Sequence, residues 1–132
     1  APVLAKQSAY EKKSQESWLI DKDKFITEGS SSNAWIYKNN TLITRPVSNS
    51  ILNGITRSTL IKGLNKRKIK YKESKFNIND IKNADEAYIT SATQHVMPVV
   101  KVNNIKIGSG LPGPRASDFR AAYMESLKLT EV

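Results

Sequence analysis

Two short segments carry the groups whose types and spacing suit chemistry. Glu28-Gly29-Ser30-Ser31-Ser32-Asn33 sets a carboxylate at the end of an apolar strand and follows it with short polar side chains. Further on, Ile51-Leu52-Asn53-Gly54-Ile55-Thr56-Arg57 opens an amphipathic helix with a glycine and a hydroxyl at its N-terminus. A carboxylate can pair with a protonated ring nitrogen, and the N–H groups that begin a helix are natural donors to phosphate. Together they outline a site that holds a ring at one end and a phosphate at the other.

Composition bounds the setting. The 132 residues are one domain's worth, with 39% apolar side chains and no run long enough to span a bilayer, so no membrane is expected. Zero cysteines exclude disulfides and thiolate metal sites and fit a reducing, cytoplasmic setting. A single histidine argues against a histidine-based metal cluster, and no metal is expected. The only methionines are Met97 and Met124, so the chain is expected to begin inside a longer translated product. The net charge of +9 raises a nucleic-acid reading, densest over residues 62–72. There Lys66-Arg67-Lys68-Ile69-Lys70-Tyr71-Lys72 alternates cationic with apolar side chains, as a half-buried strand does. No aromatic stacking platforms are interleaved in it, which favours a solvated face over a phosphate-binding one; nucleic acid is not expected as a partner.

The elements that must position the two segments alternate between α and β. A helix is expected over 3–16, then short strands over 17–21 and 25–28 around Lys22-Asp23-Lys24. Strands over 33–38 and 41–44 form a hairpin about Asn39-Asn40, a pair that accepts left-handed backbone. Apolar spacing gives a helix over 50–66, a strand over 68–73 and a short helix near 78–83. Strands over 87–90 and 96–102 are interior, Asn103-Asn104 turns the chain into Ile105, and 108–114 is loop. A last helix covers 116–127.

These words and their order resemble the class IV, fold-type IV pyridoxal-phosphate aminotransferases, in particular the D-amino-acid aminotransferase branch. The matching segments are AKQSAYEK (5–12), ITEGSSSN (26–33), ILNGITR (51–57), ADEAYITSAT (84–93), VMPVVKVNNIKIGSGLPGP (96–114) and the terminal helix. They span nearly the whole chain. The resemblance implies an α/β (α+β) fold, a mixed β-sheet or pseudo-barrel with flanking helices, forming the C-terminal cofactor-binding domain of a two-domain enzyme over 1–132. The smaller N-terminal domain, with the Schiff-base lysine upstream of Ala1, is expected outside this chain.

The resemblance also implies roles. Glu28 stands where the family has the carboxylate that pairs with the pyridine nitrogen of pyridoxal 5'-phosphate, favouring the protonated ring that acts as an electron sink. Ser31, Ser32 and Asn33 would orient that carboxylate and the ring, although a plain polar turn explains them almost as well. Leu52 matches the apolar residue packed on the ring face, with a core leucine as the alternative. Ile55 and Thr56 match the phosphate-binding positions, Gly54 permits close approach, and Ser91 with Ala92 corresponds to a second phosphate-binding turn. Several relatives carry a hydroxyl at the position of Ala92, which here offers only its backbone.

No residue of the chain is assigned as catalytic: Lys6 falls in the first expected helix, where an exposed lysine is ordinary. His95 reads as non-catalytic, Arg57 as structural, and Arg115 as either a substrate contact or a solvated loop residue. The implied reaction is transamination between an amino acid and a 2-oxo acid, D-amino acids favoured over branched-chain L-amino acids because of EGSSSN. The implied partners are those substrates, the missing N-terminal domain and a second subunit in a homodimer. The alternatives are an elimination of the 4-amino-4-deoxychorismate lyase type, or a non-catalytic basic binding module.

Overall fold

The computed structural model describes residues 14–28, 32–47 and 54–130, with side chains over 15–28, 32–47 and 54–127. Within these residues, seven strands form one mixed sheet: β1 (Ser14–Glu16), β2 (Asn33–Lys38), β3 (Thr41–Thr44), β4 (Tyr71–Glu73), β5 (Glu86–Ser91), β6 (His95–Val102) and β7 (Ile105–Lys106). Their order is β1-β6-β5-β2-β3-β4, with β7 paired to β6. The pairs β1–β6 and β3–β4 are parallel and the others antiparallel. Among the described residues, three helices flank the sheet: α1 (Ile55–Lys66), α2 (Ile78–Lys82) and α3 (Ala116–Thr130).

The two Asn-Asn pairs behave as their chemistry dictates. Asn39 and Asn40 take φ of 51° and 63°, and Asn103 and Asn104 take 46° and 73°. Left-handed backbone at both central residues matches the twist of the strands each pair joins, β2–β3 and β6–β7. These turns fix register, so Trp35 faces Thr44 and Val102 faces Ile105.

Both faces of the sheet are covered, which is why β2 and β5 are buried almost end to end. Alternation along β2 sends Ala34 and Ile36 to one side, packed with Trp18, Ile26, Phe76 and Ile81. Trp35 and Tyr37 go to the other, where Leu60 and Leu64 of α1 and Phe119 and Ala122 of α3 close a second core. The helices α1 and α3 cross where Gly63 meets the Ala122 backbone; a Cβ on Gly63 would run into the Ala122 carbonyl group.

Four expectations need correction. The helix over 50–66 begins only at Ile55, because Gly54 is its N-cap and holds extended backbone. The helix over 3–16 does not reach its end, because Ser14–Glu16 is extended and pairs in parallel with β6; residues 1–13 lie outside the description. The strands over 17–21 and 25–28 reduce to a narrow hairpin with one regular bridge, Ile20 to Ile26, because the ladder bulges beyond it: Leu19 donates to the Glu28 carbonyl and accepts from the Thr27 N–H. The strand over 68–73 begins only at Tyr71, since residues 67–69 are used to stop α1. There Lys68 adopts φ 58°, its N–H donates to the Asn65 carbonyl (3.2 Å), and the Ile69 N–H donates to that of Leu64 (2.9 Å). This is the Schellman arrangement, with a lysine where glycine is usual.

Candidate functional site

The cluster forms where β2 begins, β5 ends and α1 begins. β2 and β5 run antiparallel with Asn33 opposite Thr90, so the start of one strand lies beside Ser91 at the end of the other. Thr56, in the first turn of α1, donates its hydroxyl to the Ser91 carbonyl at 3.1 Å, and both residues are buried. Asn33, also buried, approaches from β2: a Cβ on Gly54 would lie 2.8 Å from its Oδ1. Ser91 in turn accepts the Gln94 N–H on its hydroxyl at 3.0 Å, which holds the β5–β6 turn carrying exposed Ala92. Four of the expected residues, Asn33, Gly54, Thr56 and Ser91, are thus brought together.

The start of α1 begins at a residue with no side chain to cap it. Gly54 is the N-cap with extended backbone and offers no side chain to cap the helix, and the first turn holds no acidic residue. The first N–H closed by the helix itself is that of Ser58, onto the Gly54 carbonyl. The N–H groups ahead of it have no acceptor within the helix and sit at the positive end of its dipole. Because the Thr56 hydroxyl proton goes to Ser91, the donor that Thr56 keeps for a ligand is its backbone N–H. Ile55 is 85% exposed, so its contribution is likewise a backbone group. A phosphate fits this donor set, and the small Gly54 leaves room for it beside Asn33.

Glu28 ends the small hairpin, its carbonyl accepting the Leu19 N–H at 2.9 Å. Its half-buried carboxylate has no partner among the described residues. Ser32 is half-buried just before β2. Three residues separate Glu28 from Ser32, so the two lie within four residue spacings, a reach of at most about 14 Å. Gly29, Ser31 and Leu52 lie outside the described residues.

Behind Thr56, Arg57 is buried and structural, as its position suggested: it donates to the Arg45 carbonyl (3.1 Å) and pairs with Glu73 (2.7 Å). Arg45 in turn pairs with Asp21 at 2.8 Å and donates to the Ile26 carbonyl at 3.2 Å. Burial opposes ionisation of Asp21, but the Arg45 guanidinium and the N–H groups of Phe25 and Asp23 outweigh it, holding the carboxyl below its ordinary 3.8. This chain ties the Glu28 hairpin to α1, and nothing in the sequence spacing signalled it. His95 stacks on Tyr123, with Nδ1 2.9 Å from the tyrosine hydroxyl, which anchors the β5–β6 turn to α3.

A second group escaped the sequence reading. Glu86, buried at the start of β5, accepts the Tyr88 hydroxyl and the Arg115 N–H (3.2 Å), while Gly113 lets the loop close over it. Burial, followed by the bond to Glu86, pushes the Tyr88 hydroxyl well above the ordinary tyrosine range. The signal available was a glutamate inside an otherwise buried strand. Arg115 itself pairs with Asp118 at 3.2 Å on the surface.

Comparison with known proteins places this geometry in a family. Residues 1–102 match the model of amino-transferase class IV. A D-alanine aminotransferase of Bacillus licheniformis is 39% identical over 125 residues, covering 95% of this chain and 44% of its own length. Among solved structures, the branched-chain amino acid aminotransferase from Escherichia coli superposes with a TM-score of 0.76 at 29% identity, over 83% of this chain and 37% of the other. The T.th. branched-chain amino acid aminotransferase complexed with N-(5'-phosphopyridoxyl)-L-glutamate gives 0.76 at 27%, with the same shares. The chain spans under half the length of the curated relatives it matches. With its mixed sheet, its flanking helices and the matched residues, the chain belongs to the class IV aminotransferases.

Proposed function

We propose that the intact protein transfers an amino group between an amino acid and a 2-oxo acid with pyridoxal 5'-phosphate as cofactor, and that residues 1–132 form its cofactor-binding domain. The observation that carries this is the N-terminus of α1, begun at Gly54, tied by Thr56 to Ser91 and approached by Asn33 across Gly54. The backbone N–H groups of Ile55 and Thr56 hold the phosphate, and the turn at Ser91 and Ala92 contributes from the other side. Glu28 faces the ring nitrogen and keeps it protonated, with Ser32 and Asn33 orienting the carboxylate and Leu52 covering a ring face. Bound there, the cofactor supplies an electron sink for negative charge at the substrate α-carbon. The lysine that moves the proton lies in the part of the protein before Ala1, together with the smaller domain, and the enzyme works as a cytoplasmic homodimer.

D-amino acids are the favoured donors, supported by the D-alanine aminotransferase of Bacillus licheniformis at 39% identity. Branched-chain L-amino acids are the second reading, favoured by the shape match to two branched-chain enzymes. Neither a lyase nor a basic binding module has such support. The test is an assay of the intact protein with 2-oxoglutarate and either D-alanine or L-leucine, following glutamate formation. Turnover with D-alanine is expected; turnover with L-leucine alone selects the second reading, and none with either overturns the proposal.

A further inference from the structure

The basic run over 66–72 finds its aromatic partners from elsewhere in the fold. At the far end of α1 from Thr56, about 15 Å along the helix, a cleft of about 420 Å³ opens between the β2–β3 turn, the residues that stop α1 and the start of α3. Its floor is Tyr37 and Phe119, both buried and packed edge to face at 5.4 Å. Its rim carries Arg67, Lys68, Lys70 and Arg115 together with one carboxylate, Asp118. Two of these cations are spoken for, Arg67 by Glu125 at 2.6 Å and Arg115 by Asp118 at 3.2 Å. Exposed Lys68 and Lys70 have no ion-pair partner among the described residues. On the opposite wall, the Tyr37 hydroxyl donates to Asn40 Oδ1 at 2.8 Å, which fixes the amide and leaves its NH2 to donate.

We propose that this cleft binds a small phosphate-bearing anion at a second site, separate from the start of α1. Lys68 and Lys70 supply the charge, the Asn40 NH2 a directed donor, and the Tyr37–Phe119 floor a surface for any ring the phosphate carries. The cleft volume lies within the range of small-molecule sites and suits a pyrophosphate or a nucleoside diphosphate. The alternation of lysine with apolar residues then has two uses: Ile69 packs into the core beside Leu64 while the lysines on either side face the ligand.

The test is amide NMR of the intact protein during titration with inorganic pyrophosphate and, separately, adenosine diphosphate, each at constant ionic strength. Saturable shifts grouped at Asn40, Lys68, Ile69, Lys70 and Phe119 are expected. In the Lys68→Ala/Lys70→Ala double variant, whose changes are on exposed side chains, affinity falls by at least about ten-fold, the loss of one charge-assisted hydrogen bond. Tighter binding of the nucleotide than of pyrophosphate supports the site with the base on the aromatic floor; equal binding supports it with phosphate alone. Shifts confined to Ile55, Thr56, Ser91 and Ala92, shifts spread over surface lysines without saturation, or an affinity unchanged in the double variant would overturn the proposal.

Discussion

At its N-terminus α1 leaves backbone donors without a partner inside the helix, whereas at its C-terminus the backbone satisfies its own acceptors. Gly54 provides no capping side chain, and the first internal bond is that from Ser58. Arg67, Lys68 and Ile69 fold back onto the Gly63, Asn65 and Leu64 carbonyls. Helix geometry gives the first N–H groups of α1 no acceptor inside the helix, so an acceptor for them has to come from outside it. The two ends would therefore hold anions by different means: fixed backbone dipoles at one, and mobile side-chain cations at the other. Fixed donors select a geometry and resist salt; lysines attract charge broadly and are screened by it.

The largest effect is expected at the crossing that holds both ends. Gly63→Ala drives a Cβ into the Ala122 carbonyl group, so α1 and α3 must separate. Urea unfolding should show a loss of about 3 kcal/mol. A change under about 0.5 kcal/mol would mean that the crossing is loose and that the ends are not set by it.

Next comes Thr56→Val, which keeps the shape and removes the donor to Ser91. It should cost about 1 kcal/mol of stability and weaken pyridoxal phosphate in the intact protein, while leaving pyrophosphate binding at the Lys68 cleft unchanged. Equal losses at both ends, measured by titrating each ligand, would erase the distinction between them. At the other end, Lys68→Gly relieves a left-handed lysine at φ 58° and should stabilise the chain by roughly 1 kcal/mol, read as a raised urea midpoint. A lowered midpoint would show that the lysine side chain does more for the helix stop than its backbone costs.

The smallest effect concerns Asp21, whose pairing with Arg45 links the Glu28 hairpin to α1. Its carboxyl is held below its ordinary 3.8, so its contribution is fully present above that value and is lost as pH falls through the lower folded-state value. Acid unfolding of Asp21→Asn should be less steep below about pH 4 than that of the unaltered protein. Identical acid transitions would remove the pair from the account.

What the sequence made legible was local. Asn39-Asn40 and Asn103-Asn104 set their turns by their own backbone preference, and α1 from Ile55 onward followed from its apolar spacing. Gly54, Thr56 and Ser91 were expected as words of a family, and the structure brings them together at a helix start and a strand end. What was not legible depended on partners distant in the chain. Ser14–Glu16 is a strand only because the edge of β6 receives it. The Asp21–Arg45 pair joins a hairpin to the end of β3, and the basic run gained its aromatic floor from Tyr37 and Phe119, on other elements. Periodicity and spacing do not carry such contacts.

The central claim is that the open start of α1 holds the phosphate of the cofactor. Its most direct measurement compares binding of pyridoxal phosphate and pyridoxal to the intact protein and to Gly54→Val, whose side chain meets Asn33 Oδ1 and crowds the donors. The account predicts that the variant weakens pyridoxal phosphate by at least about ten-fold, the worth of one charge-assisted hydrogen bond, and pyridoxal hardly at all. An equal loss for both ligands, or no loss for the phosphorylated one, would contradict it.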